Sequence, residues 1–376
     1  MIEIFSLFSL LIVIYDYFFE IKSRNRVFFI LLISLIFFES TKWNQGVDWL
    51  PYFNFFQASK EISIVTILST QIFEPGFVLL NYVIRNITEN YTFFLSIVMI
   101  LLYVPLFTSV FFITNKSFLS IFYLITTIPW YSGSLRQMIA IGFFALAINM
   151  ILKRRFLWFL FFMFVGSMFH TTLLPMILTF FLYGISWNLF ILLFLILFGI
   201  GLFADKLISL LDYFLSQLGR RSDYSSKVGA NVYANPILGL ARKIYYLFGF
   251  YIFYYSASFH FINLVSSEVK KLNFFIMLSS LTIWAYVVGT YKVIYFNSRM
   301  DIYFSIIAGA YLIGVIEYLI KSKLNKFLLI VFVVSLSSIF YSRLEFMNLF
   351  HPYSSIFYNT DYERNFEVCP RFEECG

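Results

Sequence analysis

The sequence predicts an all-α fold: a polytopic integral membrane helix bundle of about 11 to 12 transmembrane or re-entrant helices, with an outer loop near 205–242. Three observations carry this expectation. Of 376 residues, 61% are hydrophobic and only 12% are charged, about half the charged fraction of a soluble domain. The 52 Phe and 27 Tyr exceed what soluble cores of this length can hide, and the mean hydropathy of +0.83 agrees. Apolar runs also recur at roughly the 17 to 25 residues that cross about 30 Å of hydrocarbon.

The runs lie at 3–20, 26–39, 92–114, 117–131, 135–152, 156–183, 187–204, 244–264, 272–293, 299–320 and 324–341. The first lacks a basic leader and a small-residue cleavage site before Asp16 and Glu20, so it is expected to stay as an anchor. Short loops rich in Lys and Arg remain cytoplasmic. The clusters are Lys22, Arg24 and Arg26; Lys153, Arg154 and Arg155; Lys270 and Lys271; and Lys321, Lys323 and Lys326. The amino terminus, segment 40–90, segment 205–242 and the tail after 342 then face outward.

Between Arg155 and Lys270 the crossings must be even in number, yet three runs lie there. A break in 156–183 near His170 and Pro175 restores parity, giving two short or re-entrant helices with an outward apex. No internal repeat or flexible linker is visible. Residues 1–341 therefore read as one transmembrane domain, including the outer loops 40–90 and 205–242, followed by a periplasmic tail at 342–376. Cys369 and Cys375 lie in that tail and could pair in an oxidising compartment.

The excess of basic residues behind the net charge of +7 is an orientation signal. The bases are dispersed between apolar blocks and form no nucleic-acid-binding stripe. The predicted outer face is nearly neutral, and nine of the chain's arginines fall there.

Ionisable groups at membrane depth are costly unless paired or wetted, so they mark candidate sites. Asp48, within Gly46-Val47-Asp48-Trp49-Leu50-Pro51-Tyr52, follows the second run; an interfacial aromatic belt is the alternative reading. Glu74 in Glu74-Pro75-Gly76-Phe77 suits a helix start, with Pro in the first turn. Arg136 and Gln137 in Ser134-Leu135-Arg136-Gln137 open a helix at the outer face. A cation there opposes the helix dipole, so Arg136 needs an anion: a carboxylate such as Asp48 or Glu74, or a phosphate held by the planar guanidinium. Arg299, followed by Asp301 and Tyr303, begins another helix from outside; snorkelling to the interface is its bland explanation. His170 would sit at the outward apex, level with Arg136 and Arg299; a hydrogen-bonded core histidine is its bland explanation. No GxxxxGK[ST] loop, HExxH, outer DxD or metal-spaced acid cluster is present, so cationic side chains are expected to stabilise any leaving phosphate.

The ordered set GVDWxxY, EPGF, SLRQxxA and FHxxL, with a later Arg at a helix start, resembles the EpsG-like branch of the Wzy polysaccharide polymerases. That branch includes bacterial O-antigen and capsule polymerases. The likeness is strongest between about residues 40 and 175. The resemblance implies a multi-pass glycosyltransferase of the bacterial inner membrane with a periplasmic active face. It would join undecaprenyl-diphosphate-linked oligosaccharide repeat units and release undecaprenyl diphosphate without metal or cofactor. It also implies a chain-length regulator and a flippase as partners beside the lipid bilayer. Asp48 and Glu74 match the acidic motif positions, Arg136 with Gln137 the RQ pair, and His170 the FH pair.

The chemistry suits those residues. Arg136 and Arg299 could stabilise the departing diphosphate, and His170, Asp48 or Glu74 could take the acceptor proton. Tyr52, Gln137, Arg220, Arg221, Arg242 and Tyr303 are expected to contact substrate, with Tyr224 and Tyr233 stacking on sugar rings. One departure weakens a role for the 205–242 loop: it holds no Arg-x10-Gly motif. The rival readings are a lipid-linked oligosaccharide flippase, argued against by the absence of repeats, and an O-antigen ligase, separated only by the motif set.

Overall fold

A computed structural model describes residues 2–42, 48–60, 73–128, 134–203, 206, 270–271, 273–281 and 302–314. These residues are helical with short connections, and no strand occurs among them. They fall into two compact units, one up to Leu174 and one from Pro175 onward.

The first unit opens with α1 (Ile2–Phe19) and α2 (Arg24–Ser40). Two helices then occupy the segment expected to be an outer loop, α3 (Trp49–Ala58) and α4 (Pro75–Ile87). α5 (Tyr91–Ile113), α6 (Phe118–Thr127), α7 (Leu135–Leu152) and α8 (Phe156–Ser167) follow. α5 starts cleanly because the Asn90 side chain accepts from the amides of Thr92 and Phe93 at 2.9 and 3.2 Å.

α5 is the central strut of this unit. It packs against α2, α6 and α7, while α7 also lies along α8 and α1 along α6. Phe28 of α2 stacks on Phe111 of α5 with centroids 4.0 Å apart and rings 8° from parallel. Across the α5–α7 seam, the Asn149 amide donates to Ser109 Oγ at 2.8 Å. The backbones meet closely at Gly142, where a Cβ would stand 2.7 Å from the Leu101 carbonyl oxygen; only glycine permits that approach.

Just beyond the C-terminal end of α5, the side chain of Asp16 ties two turns together. It accepts from the Ile21 amide at 3.0 Å and pairs with Arg24, whose Nη1 donates to the Lys116 carbonyl at 3.2 Å. The basic cluster predicted to be cytoplasmic therefore includes a cation whose partner is buried, Asp16 being 3% exposed.

Large apolar side chains cover the outside of several helices. Phe8, Leu11 and Tyr15 of α1, Ile30, Ile33 and Phe37 of α2, and Leu157 and Phe164 of α8 are all more than 40% exposed. Water does not solvate so continuous an apolar surface cheaply; lipid does. α5 and α7 are long and apolar enough to cross a membrane.

The long run 156–183 is interrupted where parity required. α8 stops at Ser167, a 3₁₀ helix spans Thr171–Leu178 with Pro175 inside it, and one α-turn follows at Thr179–Leu182. In the second unit, α9 (Trp187–Leu202) continues the chain, and the helices 273–281 and Ile302–Gly314 contribute the stacked pair Phe275–Tyr311, 3.5 Å apart. The runs 244–264 and 324–341, the loop 207–242, the tail 342–376 and both cysteines lie outside the described residues.

Candidate functional site

The site grows from the start of α4. Glu74 is extended, with φ −63° and ψ 146°, and Pro75 occupies the first helical turn, where its missing N–H costs nothing. The next residue makes a tertiary contact. Gly76 N donates to the Met168 carbonyl at 2.8 Å, and a Cβ at Gly76 would lie 2.8 Å from that same oxygen and 2.9 Å from Met168 Cβ. Backbone thus meets backbone between the start of α4 and the end of α8. Phe77, fully buried, locks the helix against Tyr52, Phe55 and Phe73.

This docking brings Glu74 to His170. After α8, the Phe169 and His170 amides both donate to the Gly166 carbonyl, at 3.0 and 3.1 Å, folding the chain into its 3₁₀ turn. His170 is left 2% exposed, with Nδ1 3.3 Å from Glu74 Oε1 and 3.4 Å from the Thr172 hydroxyl.

The other carboxylate oxygen, Glu74 Oε2, pairs with Arg136 Nη1. Glu74 is the N-cap residue of α4, yet its side chain makes no capping bond; it is committed to Arg136 and His170 instead. Arg136 sits in the first turn of α7, whose N-cap Ser134 also makes no side-chain cap. The anion that offsets the unfavourable helix dipole is therefore Glu74. The guanidinium lies over the Phe73 ring at 4.6 Å and over Tyr52 at 5.8 Å, a favourable arrangement of cation on aromatic faces. Its Nε donates to the Tyr52 hydroxyl at 3.3 Å, and that hydroxyl reaches Asp48 Oδ2 at a long 3.5 Å. Burial pushes the Tyr52 hydroxyl above its ordinary pKa of 10, with Arg136 pulling it the other way. Tyr52 therefore remains a neutral hydroxyl at physiological pH.

Asp48, Tyr52, Glu74, Arg136 and His170 thus form one connected chain of polar groups. Gln137 is buried on α7 next to Arg136. Trp49 and Tyr52 are 5% and 1% exposed, so both pack inside the protein rather than in an interfacial belt, Trp49 against Phe53 and Tyr91 and Tyr52 against Phe73 and Phe77. Tyr303 is buried in the second unit. Arg220, Arg221, Arg242 and Arg299 lie outside the described residues. Phe73 was not anticipated, although its place immediately before Glu74-Pro75 was the available signal. The buried pair of Glu39 and Lys42, 2.5 Å apart at the end of α2, was also missed; nothing in the local run 26–39 distinguishes it from a flanking charge.

Residues 25–355 match the EpsG family. The chain belongs to the EpsG family. That family comprises Wzy-like polysaccharide polymerases and glycosyltransferases, and the chain is a membrane protein of that class. No curated protein and no solved structure matches it. In this EpsG-family chain, the motifs EPGF, SLRQ and FH are spatial neighbours, and Gly76 is the hinge of their meeting. Gly76→Ala is expected to push α4 off Met168, because the clashing atoms are backbone and cannot swing away. Stability against denaturant should fall by about 1 to 3 kcal/mol, while α-helical content stays at the wild-type value by circular dichroism.

Proposed function

We propose that this protein polymerises undecaprenyl-diphosphate-linked oligosaccharide repeat units into O-antigen, capsule or exopolysaccharide, at the periplasmic face of a multi-pass inner-membrane bundle. The observation that carries the reading is the single carboxylate of Glu74, with one oxygen on Arg136 and the other facing His170. It holds an anion-binding cation and a base in one fixed relation.

In the proposed step, a hydroxyl oxygen of the incoming repeat unit forms a bond to the anomeric carbon of the growing glycan. The bond from that carbon to the carrier diphosphate breaks, and its electron pair leaves on the diphosphate. Arg136 neutralises the developing charge through N–H groups other than those on Glu74 and Tyr52. With Nδ1 turned to Glu74, His170 offers Nε2 to take the hydroxyl proton, the carboxylate fixing the tautomer. Asp48 is the second candidate base, at one remove through Tyr52. From sequence, Arg299 is assigned with Arg136 to the departing diphosphate, and Arg220, Arg221 and Arg242 to the carrier-linked substrate, Gln137, Tyr52 and Tyr303 with them. A chain-length regulator and a flippase are the expected partners.

Gene deletion followed by gel analysis of extracted lipopolysaccharide and capsule tests this. A polymerase leaves single repeat units on the final acceptor. Loss of every repeat would identify a ligase, and accumulation of carrier-linked units on the cytoplasmic side would identify a flippase.

A further inference from the structure

The proposed reaction consumes two carrier-linked substrates, each with its own diphosphate. The donor diphosphate leaves at the reacting carbon. The acceptor diphosphate lies a whole repeat unit away from the hydroxyl that attacks, so a second oxyanion site must exist at a distance from Arg136.

Arg85, in the last turn of α4, has the properties such a site needs. It is 9% exposed, and its Nε and Nη1 are buried without a hydrogen-bond acceptor. Buried donors left unmet cost on the order of 1 to 3 kcal/mol each, so they signal a missing acceptor. The guanidinium rests on the Phe56 ring at 5.5 Å. Tyr91, whose ring also packs on Phe56 at 5.5 Å, has a buried hydroxyl with no partner either. Its position at a helix C-terminus explains why a cation is tolerated there but not why its N–H groups are unmet.

Snorkelling does not account for Arg85. The lipid-compatible stripe of α4 is Leu79, Val83 and Ile87, which are 44%, 46% and 71% exposed. Those residues recur every fourth position on one face. Arg85 shares the opposite, buried face with Phe77, Val78, Asn81 and Ile84. An interfacial helix of this kind would hold Arg85 on its protein side. A second cation is near: Lys60 binds Glu89 Oε1 at 2.7 Å, and Arg85 Nη1 lies 3.5 Å from the same oxygen. Glu89 is exposed and can release both. Eleven residues of α4 separate Glu74 from Arg85, about 16 Å of helical rise.

Resting on the polymerase reading, we propose that Arg85, with Lys60 across Glu89, forms the site for the diphosphate of the incoming carrier-linked repeat unit. Arg136 holds the leaving diphosphate at one end of α4, and Arg85 anchors the acceptor at the other.

Calorimetric titration of the purified full chain in detergent with inorganic pyrophosphate tests this. Wild type should bind two pyrophosphates, Arg85→Gln one, Arg136→Ala one, and the double variant none. Two sites persisting in Arg85→Gln, or a single site in wild type, overturns the proposal. Two sites persisting in Arg136→Ala overturns the Arg136 reading instead, so the two failures are separable. If Arg85→Gln does not fold, the exposed substitution Glu89→Gln decides: it should tighten the second site about threefold or more by freeing Lys60 and Arg85, and an unchanged affinity sinks the idea. Equal displacement of pyrophosphate from the Arg85 site by sn-glycerol 1-phosphate would assign it to phospholipid headgroups and overturn the carrier assignment.

Discussion

Arg136→Ala is expected to leave the protein folded in the membrane, at an abundance no lower than that of a variant lacking the Glu74 charge, while long glycan chains vanish and single-repeat products persist. The fold should survive for local reasons. Arg136 lies in the first turn of α7, where a cation opposes the helix dipole, and Ala is the better helix former. Tyr52 keeps its packing with Phe73 and Phe77, and Glu74 keeps His170 as a neighbour. The loss falls on chemistry. Removing a preorganised donor to a developing negative charge lowers turnover by about 100- to 1000-fold. Arg136→Lys should recover part of the rate, because the charge returns but the planar fork that holds two phosphate oxygens does not. Gel ladders of normal length in Arg136→Ala membranes would remove Arg136 from the reaction.

Among the described residues, long apolar runs between charged ends were legible in the sequence to within about four residues. Leu135–Leu152 is flanked by Ser134 and by the Lys153 to Arg155 cluster, and α7 has those bounds. The break near His170 followed from counting crossings between basic loops, and α8 does stop at Ser167. α3 and α4 were harder. Trp49–Ala58 is ten residues with Pro51 inside it, too short and mixed for a membrane run, and α4 announced only its first turn through Pro75. The members of the site were legible as charges that local structure could not satisfy. Their pairing was not. Glu74 and Arg136 are 62 positions apart, and Asp48 was an equally good partner until tertiary packing put it behind Tyr52. Gly76 illustrates the difference: its motif was visible, but the need for glycine lies in a backbone contact with Met168, which no local pattern encodes.

Glu74→Gln should be as damaging as loss of Arg136, by a different route. The substitution preserves shape but removes the charge that Arg136 and His170 share. Arg136 and Glu74 side chains are 19% and 12% exposed, so little water is available to replace the carboxylate. Removing one partner of a buried pair costs about 3 to 5 kcal/mol, and the partial exposure here places the cost at the lower end. The chemical loss adds to this. A glutamine can present its N–H₂ to His170, which reverses the hydrogen bond at Nδ1 and moves the proton to Nε2, the nitrogen required as base. General-base assistance is worth roughly 100-fold or more, so elongation should fall at least that far, with kcat affected more than KM for the carrier-linked repeat unit. Glu74→Asp keeps the charge on a shorter arm and should retain Arg136 while loosening His170, giving an intermediate rate. If Arg136, Glu74 and His170 act as one unit, Glu74→Gln combined with Arg136→Ala will lose little beyond either single change, because the first substitution has already dismantled what the second removes. Fully additive losses in that cycle would mean that the carboxylate and the guanidinium serve separate ends.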